Sequence, residues 1–491
     1  SEILPVSEEN PDHDCELHLA RMLYQILSEI TGITPKWGVL TGIRPVKLVQ
    51  RRLDQGLSRE EVARELREDY LVSQEKLDLA FATQQKEHAI LSRNTPDSFS
   101  LYISIPFCPS RCLYCSFVSH SIEKTYKLMD QYIDCLCQEI AHTAEVARQA
   151  GLRLRTVYFG GGTPSFFGAS GLDRIFAEID RRFDVSRDAE VSLEANPDSV
   201  TLPMLTRLRR AGFNRISIGV QSDDDAQLKA LGRPHTYRQA QQAVSLSRRA
   251  GFDNVSVDLM FGLPNQSREQ WMETLRHVID LKADHISCYG LKLEPGTPLY
   301  DRRDSECFPD DDAQADMYLY AVTVLAQNGY EQYEISNFAK PGFASRHNLK
   351  YWHMEEYAGF GPGAHSDFGG VRYAYVRDLD SYISGRLILS ESESDATLTR
   401  DYEYVMLSLR TAEGIDRRYF ETTYRQRFQP MEDLFVQYEC TGLAARTENG
   451  WRLTPRGFLV SNSIIVALEE ALATQKIRRE QALAQRDYRI I

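Results

Sequence analysis

Between residues 101 and 295 the sequence alternates β-rich runs with amphipathic stretches, and this alternation constrains the fold more than any other feature. The β-rich runs cover 101–107, 156–160, 190–196, 215–221, 254–261 and 285–293. Amphipathic segments such as 124–150, 202–211, 237–250 and 268–281 lie between them, several followed by glycine. Strands joined through helices run parallel, so six units in series predict an α/β domain with a parallel sheet, open or curled into a partial (β/α)6 barrel. In both forms ligands gather at the carboxyl ends of the strands, and chemistry is expected in the residues that follow each run.

The flanks read differently. Residues 1–97 are predicted to be helical. Ala20, Leu23, Leu27 and Ile30 recur at helical spacing ahead of Gly32, and Ser58 with Glu61 forms a capping-box pattern before Val62 and Leu66. Ser73 opens a further helix through Leu77, Ala80 and Phe81, and 92–98 reads as a linker into the barrel, expected over 98–300. A less regular extension, 301–380, precedes a module at 381–491. There, helical patterns at 402–410, 419–428 and 431–439, β-runs flanking Asn449-Gly450 and a last helix from Pro455 predict a winged-helix-like fold.

Such modules often bind nucleic acid, but residues 400–491 hold 14 basic and 13 acidic side chains, which is no basic stripe. The whole chain has 57 Lys and Arg against 70 Asp and Glu, a formal charge of -13, and this disfavours partners held through a phosphate backbone. No stretch has the roughly 18 apolar residues of a membrane span, and residues 1–14 are acidic rather than a basic leader, so a cytoplasmic protein is expected. The nine cysteines are odd in number with no export signal, which argues against disulfides.

Three of those cysteines, Cys108, Cys112 and Cys115, form a Cys-x3-Cys-x2-Cys pattern directly after the first β-run. Three thiolates on one loop can hold three irons of a four-iron cluster and leave the fourth open to an external ligand. A closed zinc site wants four protein ligands, and only His120 lies within reach; three unrelated buried thiols are the remaining alternative. Cys135 and Cys137, two apart on a predicted helix, fall on different faces and read as packing residues.

This motif resembles that of the radical S-adenosylmethionine (SAM) enzymes, and the landmarks downstream resemble the oxygen-independent coproporphyrinogen III oxidases and their relatives, over about 101–462. The segment Gly42-Ile-Arg-Pro45 further resembles the HemZ type. The resemblance implies a partial radical SAM barrel, a 4Fe-4S cluster on Cys108, Cys112 and Cys115, and SAM. In Gly160-Gly-Gly-Thr-Pro164 the glycines let backbone approach a small charged ligand, although a plain turn would read the same way. By resemblance, Gly161, Gly162 and Thr163 grip the methionine part of SAM, while Glu194, Gln221, Arg233 and Asp258, with Gly290 beside Tyr289, complete its recognition. Tyr102 and Tyr114 occupy positions that contact SAM in the oxidase branch, including a second SAM. Asp258 lies inside an apolar run, and a buried carboxylate needs a partner.

The departures bear on the activity. The oxidases carry a further cysteine two positions after the third, whereas this chain reads Cys115-Ser116-Phe117. The segment from Arg346 to Trp352, with His347, Asn348, Tyr351 and Trp352, resembles an element of the haem-chaperone branch, HemW, and makes His347 a candidate haem ligand beside the reading of a structural histidine. His365 is placed at the cofactor site by the same comparison. The main reading is an oxidoreductase that oxidatively decarboxylates coproporphyrinogen III propionates to vinyl groups; the alternatives are a haem-binding chaperone and another radical SAM enzyme acting on haem. Expected partners are a porphyrinogen or haem and a flavodoxin- or ferredoxin-like electron donor.

Overall fold

The computed structural model places a strand on each of the six β-rich runs. They are β1 (Ser98–Ile105), β2 (Arg153–Gly161), β3 (Asp184–Ala195), β4 (Arg215–Gln221), β5 (Asn254–Phe261) and β6 (His285–Gly290). They lie side by side in that order, and every neighbouring pair is parallel. The structure describes residues 11–40, 49, 52–53, 57–78, 80–81, 98–117, 120–121, 126–386, 389–394 and 399–487.

The connecting helices are α1 (Met129–Gln149), α2 (Gly168–Arg182), α3 (Leu202–Ala211), α4 (Tyr237–Arg249) and α5 (Arg268–Ile279). Local chemistry sets where several of them start. Thr236 with Gln239 and Ser267 with Gln270 form capping boxes at α4 and α5, and the Thr201 side chain accepts from Met204 N at α3. Each helix turns an apolar stripe inward, as with Leu172, Ile175, Phe176 and Ile179 on α2. Along β1, Phe99, Leu101, Ile103 and Ile105 join the apolar core, while the alternating Tyr102 and Ser104 line a cavity on the other face.

Residues from 301 to 394 extend this sheet at both edges, past the expected boundary at 380 and with a regularity that the sequence does not display. After α6 (Asp311–Gln327), β7 (Glu331–Gln332) and β8 (Asn337–Ala339) add antiparallel strands beside β6. The short α7 (Arg346–Trp352) then leads to β9 (Tyr357–Phe360), which lies parallel to β1, and β10 (His365–Phe368), β11 (Val371–Tyr375) and β12 (Leu389–Ser394) continue antiparallel. The described sheet has 12 strands. From Arg400 onward, helices Arg400–Ser408, Arg417–Tyr424 and Gln429–Cys440 precede the hairpin Ala444–Arg446 and Gly450–Leu453, as expected, with Ile415–Asp416 as a third strand. Phe428, Phe435 and Trp451 stack in its interior and belong to the same apolar core as the barrel.

The chain divides into two units, Ser1–Pro96 and Asp97–Ile491. Within the first, the helix Pro11–Thr31 ends at Gly32 with φ 69°, and Arg59–Glu68 begins at the expected Ser58–Glu61 capping box. Val62, Leu66, Leu77, Ala80 and Phe81 form its core. Leu23, Leu27 and Ile30 are more than half exposed, so their periodicity marks a helix but not a buried face. The Gly42–Pro45 segment lies outside the described residues, as do 92–97 of the expected linker. No helix among the described residues is long and apolar enough to cross a membrane.

Candidate functional site

Cys108, Cys112 and Cys115 line one cavity of about 430 Å³. Backbone bonds pin their loop from two sides: Leu113 N donates to Leu231 O at 3.0 Å and Leu299 N donates to Leu113 O at 2.9 Å. A chain of polar contacts links two of the thiols across the cavity wall. The Cys108 sulfur meets Thr163 Oγ1 at 3.4 Å, Asn196 Nδ2 donates to Thr163 Oγ1 at 3.4 Å, and Arg233 Nη2 donates to Asn196 Oδ1 at 3.0 Å. Arg233 Nη1 then donates to the Cys112 sulfur at 3.4 Å. Tyr114 packs against Cys112 and Arg233, and burial pushes its phenol upward. Burial also pushes the Cys108 thiol up to about 11 and raises that of Cys115, so metal uptake by these groups must release protons.

The glycine loop after β2 closes the same wall. A Cβ on Gly162 would meet Phe107 O at 2.6 Å, Ile105 O at 2.9 Å and the Cys108 sulfur at 3.0 Å. Gly161 holds φ 107°, a region that costs a non-glycine residue strain. Opposite stand Glu194, Gln221, Asp258, Tyr289 and Gly290. Glu194 accepts from the Tyr158 hydroxyl at 2.7 Å, and burial pushes its carboxyl up to about 7. Gln221 sits at φ 68°, a strained conformation for its residue type, at the end of β4. Asp258 has the partners its burial demands: Ser217 donates at 3.0 Å and Ser287 at 2.7 Å, while burial still raises its carboxyl above the usual range.

Sequence reasoning missed the polar residues beneath this mouth. Arg215, Ser217, Ser256, His285 and Ser287 line the cavity from positions nearer the strand beginnings. The available signal is a polar residue recurring at alternate positions of otherwise apolar strands, at 256 and 258 on β5 and at 285 and 287 on β6.

Two predicted residues lie elsewhere. Tyr102 and His365 line a second cavity of about 320 Å³, with Tyr351, Tyr357 and Arg377 among its walls. The two cavities share Gly161 and Phe117. His347 lines neither. It is 1% exposed, its Nδ1 meets Thr156 Oγ1 at 2.8 Å and its Nε2 meets the Tyr351 hydroxyl at 2.8 Å. The ring stacks on Tyr158 with centroids 5.0 Å apart, and burial pushes its basicity down to about 3. Both ring nitrogens are engaged in this conformation, the arrangement expected of the structural-histidine reading. Cys135 and Cys137 are half-buried on α1 and pack against the core, as expected.

The residues fit the cluster and SAM. Arg233 Nε is buried without a hydrogen-bond partner among the described residues, a donor that a bound anionic group would satisfy. The parallel barrel with three thiols on the loop after its first strand, faced by a glycine cradle and polar strand ends, defines a radical SAM protein. The Radical SAM superfamily model matches residues 102–278.

Relatives narrow the group. The chain is 34% identical over 371 residues to the haem chaperone HemW of Escherichia coli, covering 74% of this chain and 97% of that one. It is 34% identical to HemW of Bacillus subtilis, over 75% and 98% of the two chains. The structure of coproporphyrinogen III oxidase (HemN) from Escherichia coli, described as a radical SAM enzyme, superposes with a TM-score of 0.66 at 25% identity, over 78% of this chain and 93% of that one. The chain belongs to the HemN/HemW-related group of the radical SAM superfamily. Its cofactors are a 4Fe-4S cluster, which Cys108, Cys112 and Cys115 would hold, and SAM, which the cradle and strand ends would hold. Together, when bound, they supply one-electron cleavage of SAM. Around them the chain positions ligand groups through Thr163, Asn196 and Arg233 and limits water access by burying the walls.

Proposed function

We propose that this protein binds haem as cargo and passes it to other proteins, using its radical SAM site in that task, and that it does not decarboxylate coproporphyrinogen. The observation that carries this reading is Phe117. It stands two positions after Cys115, where the oxidases have a cysteine, and lines both cavities with 70% of its surface exposed. A phenyl ring there supplies apolar surface suited to a macrocycle and no thiol. The names of the HemW relatives support the same choice over the oxidase reading.

The electron donor is a flavodoxin- or ferredoxin-like protein in a shared cytoplasmic compartment. Arg111 and Lys292, at the edge of the first cavity, supply local positive charge for docking on a chain of net charge -13. Anaerobic incubation with SAM, reductant and coproporphyrinogen III, read by mass spectrometry, tests the reading. It predicts 5'-deoxyadenosine without a vinyl-bearing porphyrinogen. Stoichiometric vinyl product would restore the oxidase.

A further inference from the structure

A third cavity, of about 410 Å³, shares no lining residue with either of the two described above, and its volume is that of a small-molecule site. One wall is a single face of α1, where Cys135, Glu139, His142 and Val146 recur at three- and four-residue spacing. The remaining walls are aromatic. Tyr373 and Tyr375, two apart on β11, turn to the same side of the sheet, with ring centroids 5.9 Å apart at 70°. Phe368 comes from the end of β10 and Tyr382 from the short helix Leu379–Ile383.

Glu139 brings a carboxyl group into these walls without a positive partner. Its Oε2 accepts from the Tyr382 hydroxyl at 2.6 Å and from Gly361 N at 3.1 Å, while Oε1 makes no hydrogen bond among the described residues. Among those residues no Lys or Arg lines the cavity, and none acts on this carboxyl. A carboxylate withdrawn from water is costly unless an opposite charge and hydrogen-bond donors meet it, and burial accordingly pushes this one up to about 7. An ammonium nitrogen supplies both the charge and an N–H for Oε1. The faces of tyrosine rings attract the same ion, and the apolar parts of the walls take up its hydrocarbon body. A carboxylate or phosphate finds no Lys or Arg there to hold it.

We propose that this cavity binds a small organic ammonium compound, a primary or secondary amine on an aromatic or apolar body, with Glu139 Oε1 as its counter-ion and acceptor and Tyr373 and Tyr375 as the rings that face the cation. The site is separate from the thiol cavity and does not depend on the haem-handling reading. Glu139 therefore has a use beyond holding Gly361 and Tyr382: its unengaged oxygen is the recognition group.

Calorimetric titration of 2-phenylethylamine into the full-length, cluster-reconstituted protein at about pH 8, where the Glu139 carboxyl is ionised, tests this. Phenylacetate and 2-phenylethanol carry the same ring with a negative and a neutral group. The amine should bind saturably at one per chain, with both comparison compounds at least about tenfold weaker. Glu139→Gln keeps an acceptor for Tyr382 and Gly361 and removes the charge, so it should weaken the amine at least about tenfold without lowering the urea midpoint. Tyr373→Leu keeps apolar bulk and loses the ring face, and should weaken the amine about two- to fivefold. No saturable amine binding by the wild-type protein, equal affinity for phenylacetate, or unchanged amine affinity in Glu139→Gln overturns the assignment. If Glu139→Gln lowers the urea midpoint, the three compounds compared on the wild-type protein, together with Tyr373→Leu, decide it.

Discussion

Arg233 lies 3.4 Å from the Cys112 sulfur through Nη1, while its Nη2 holds Asn196 Oδ1 and Gly219 O. One guanidinium therefore ties the cysteine loop to the ends of β3 and β4. A hydrogen bond to a metal-bound thiolate steadies the ligand and moderates its charge. Arg233→Met is expected to make the reconstituted cluster more labile to chelators and to weaken SAM binding by about 10- to 100-fold, with Arg233→Lys intermediate because a point charge cannot span three acceptors. Iron release and equilibrium SAM binding measure this.

The glycine cradle makes a steric prediction. Gly162→Ala places a methyl against two backbone carbonyls that have no room to move, so it should cost about 1–3 kcal/mol and displace Cys108. Iron content after reconstitution should fall sharply. Gly168→Ala, where a Cβ meets nothing within 4 Å, should leave iron content unchanged despite strain at its φ of 67°.

Phe117→Ala separates haem affinity from folding. The ring is largely exposed, so unfolding stability should change by less than about 0.5 kcal/mol. Hemin binding should weaken, because the ring lines both cavities. Denaturant midpoints and Soret titration report the two effects independently.

Glu139 gives a pH dependence with a defined sign. It accepts from Gly361 N at 3.1 Å and the Tyr382 hydroxyl at 2.6 Å, and burial pushes its carboxyl from 4.5 up to about 7. The native state therefore holds this proton more tightly than the unfolded chain, and stability falls as pH rises between those values, by about 3 kcal/mol in total. Glu194 and Glu334 shift in the same direction. Glu139→Gln keeps an acceptor for both donors and loses the titration, so its stability profile should be shallower by one proton across that range. Urea midpoints measured from pH 4.5 to 7 check it.

What could be read from the sequence follows the range of each interaction. Strands β4 and β5 occupy the runs 215–221 and 254–261 as expected, and the capping box at Ser58 sets a helix start as expected, because these signals lie within a few residues. The thiol loop and its facing strand ends were legible because a parallel sheet directs strand ends to one rim. Strand β9 was not, since its pairing with β1 joins Tyr357 to Ser100 and depends on no local pattern. For the same reason Tyr102 and His365 could not be assigned to a second cavity, nor His347 to the interior: which way a side chain faces is decided by elements distant in sequence.

The most direct measurement of the central claim is an equilibrium hemin titration of the reconstituted protein, followed by mixing the loaded protein with an apo haem protein and watching the acceptor's spectrum appear. Saturable binding at one haem per chain, with transfer to the acceptor, is the predicted result. Unsaturable, nonspecific hemin uptake, or binding with no release to any acceptor, would contradict it.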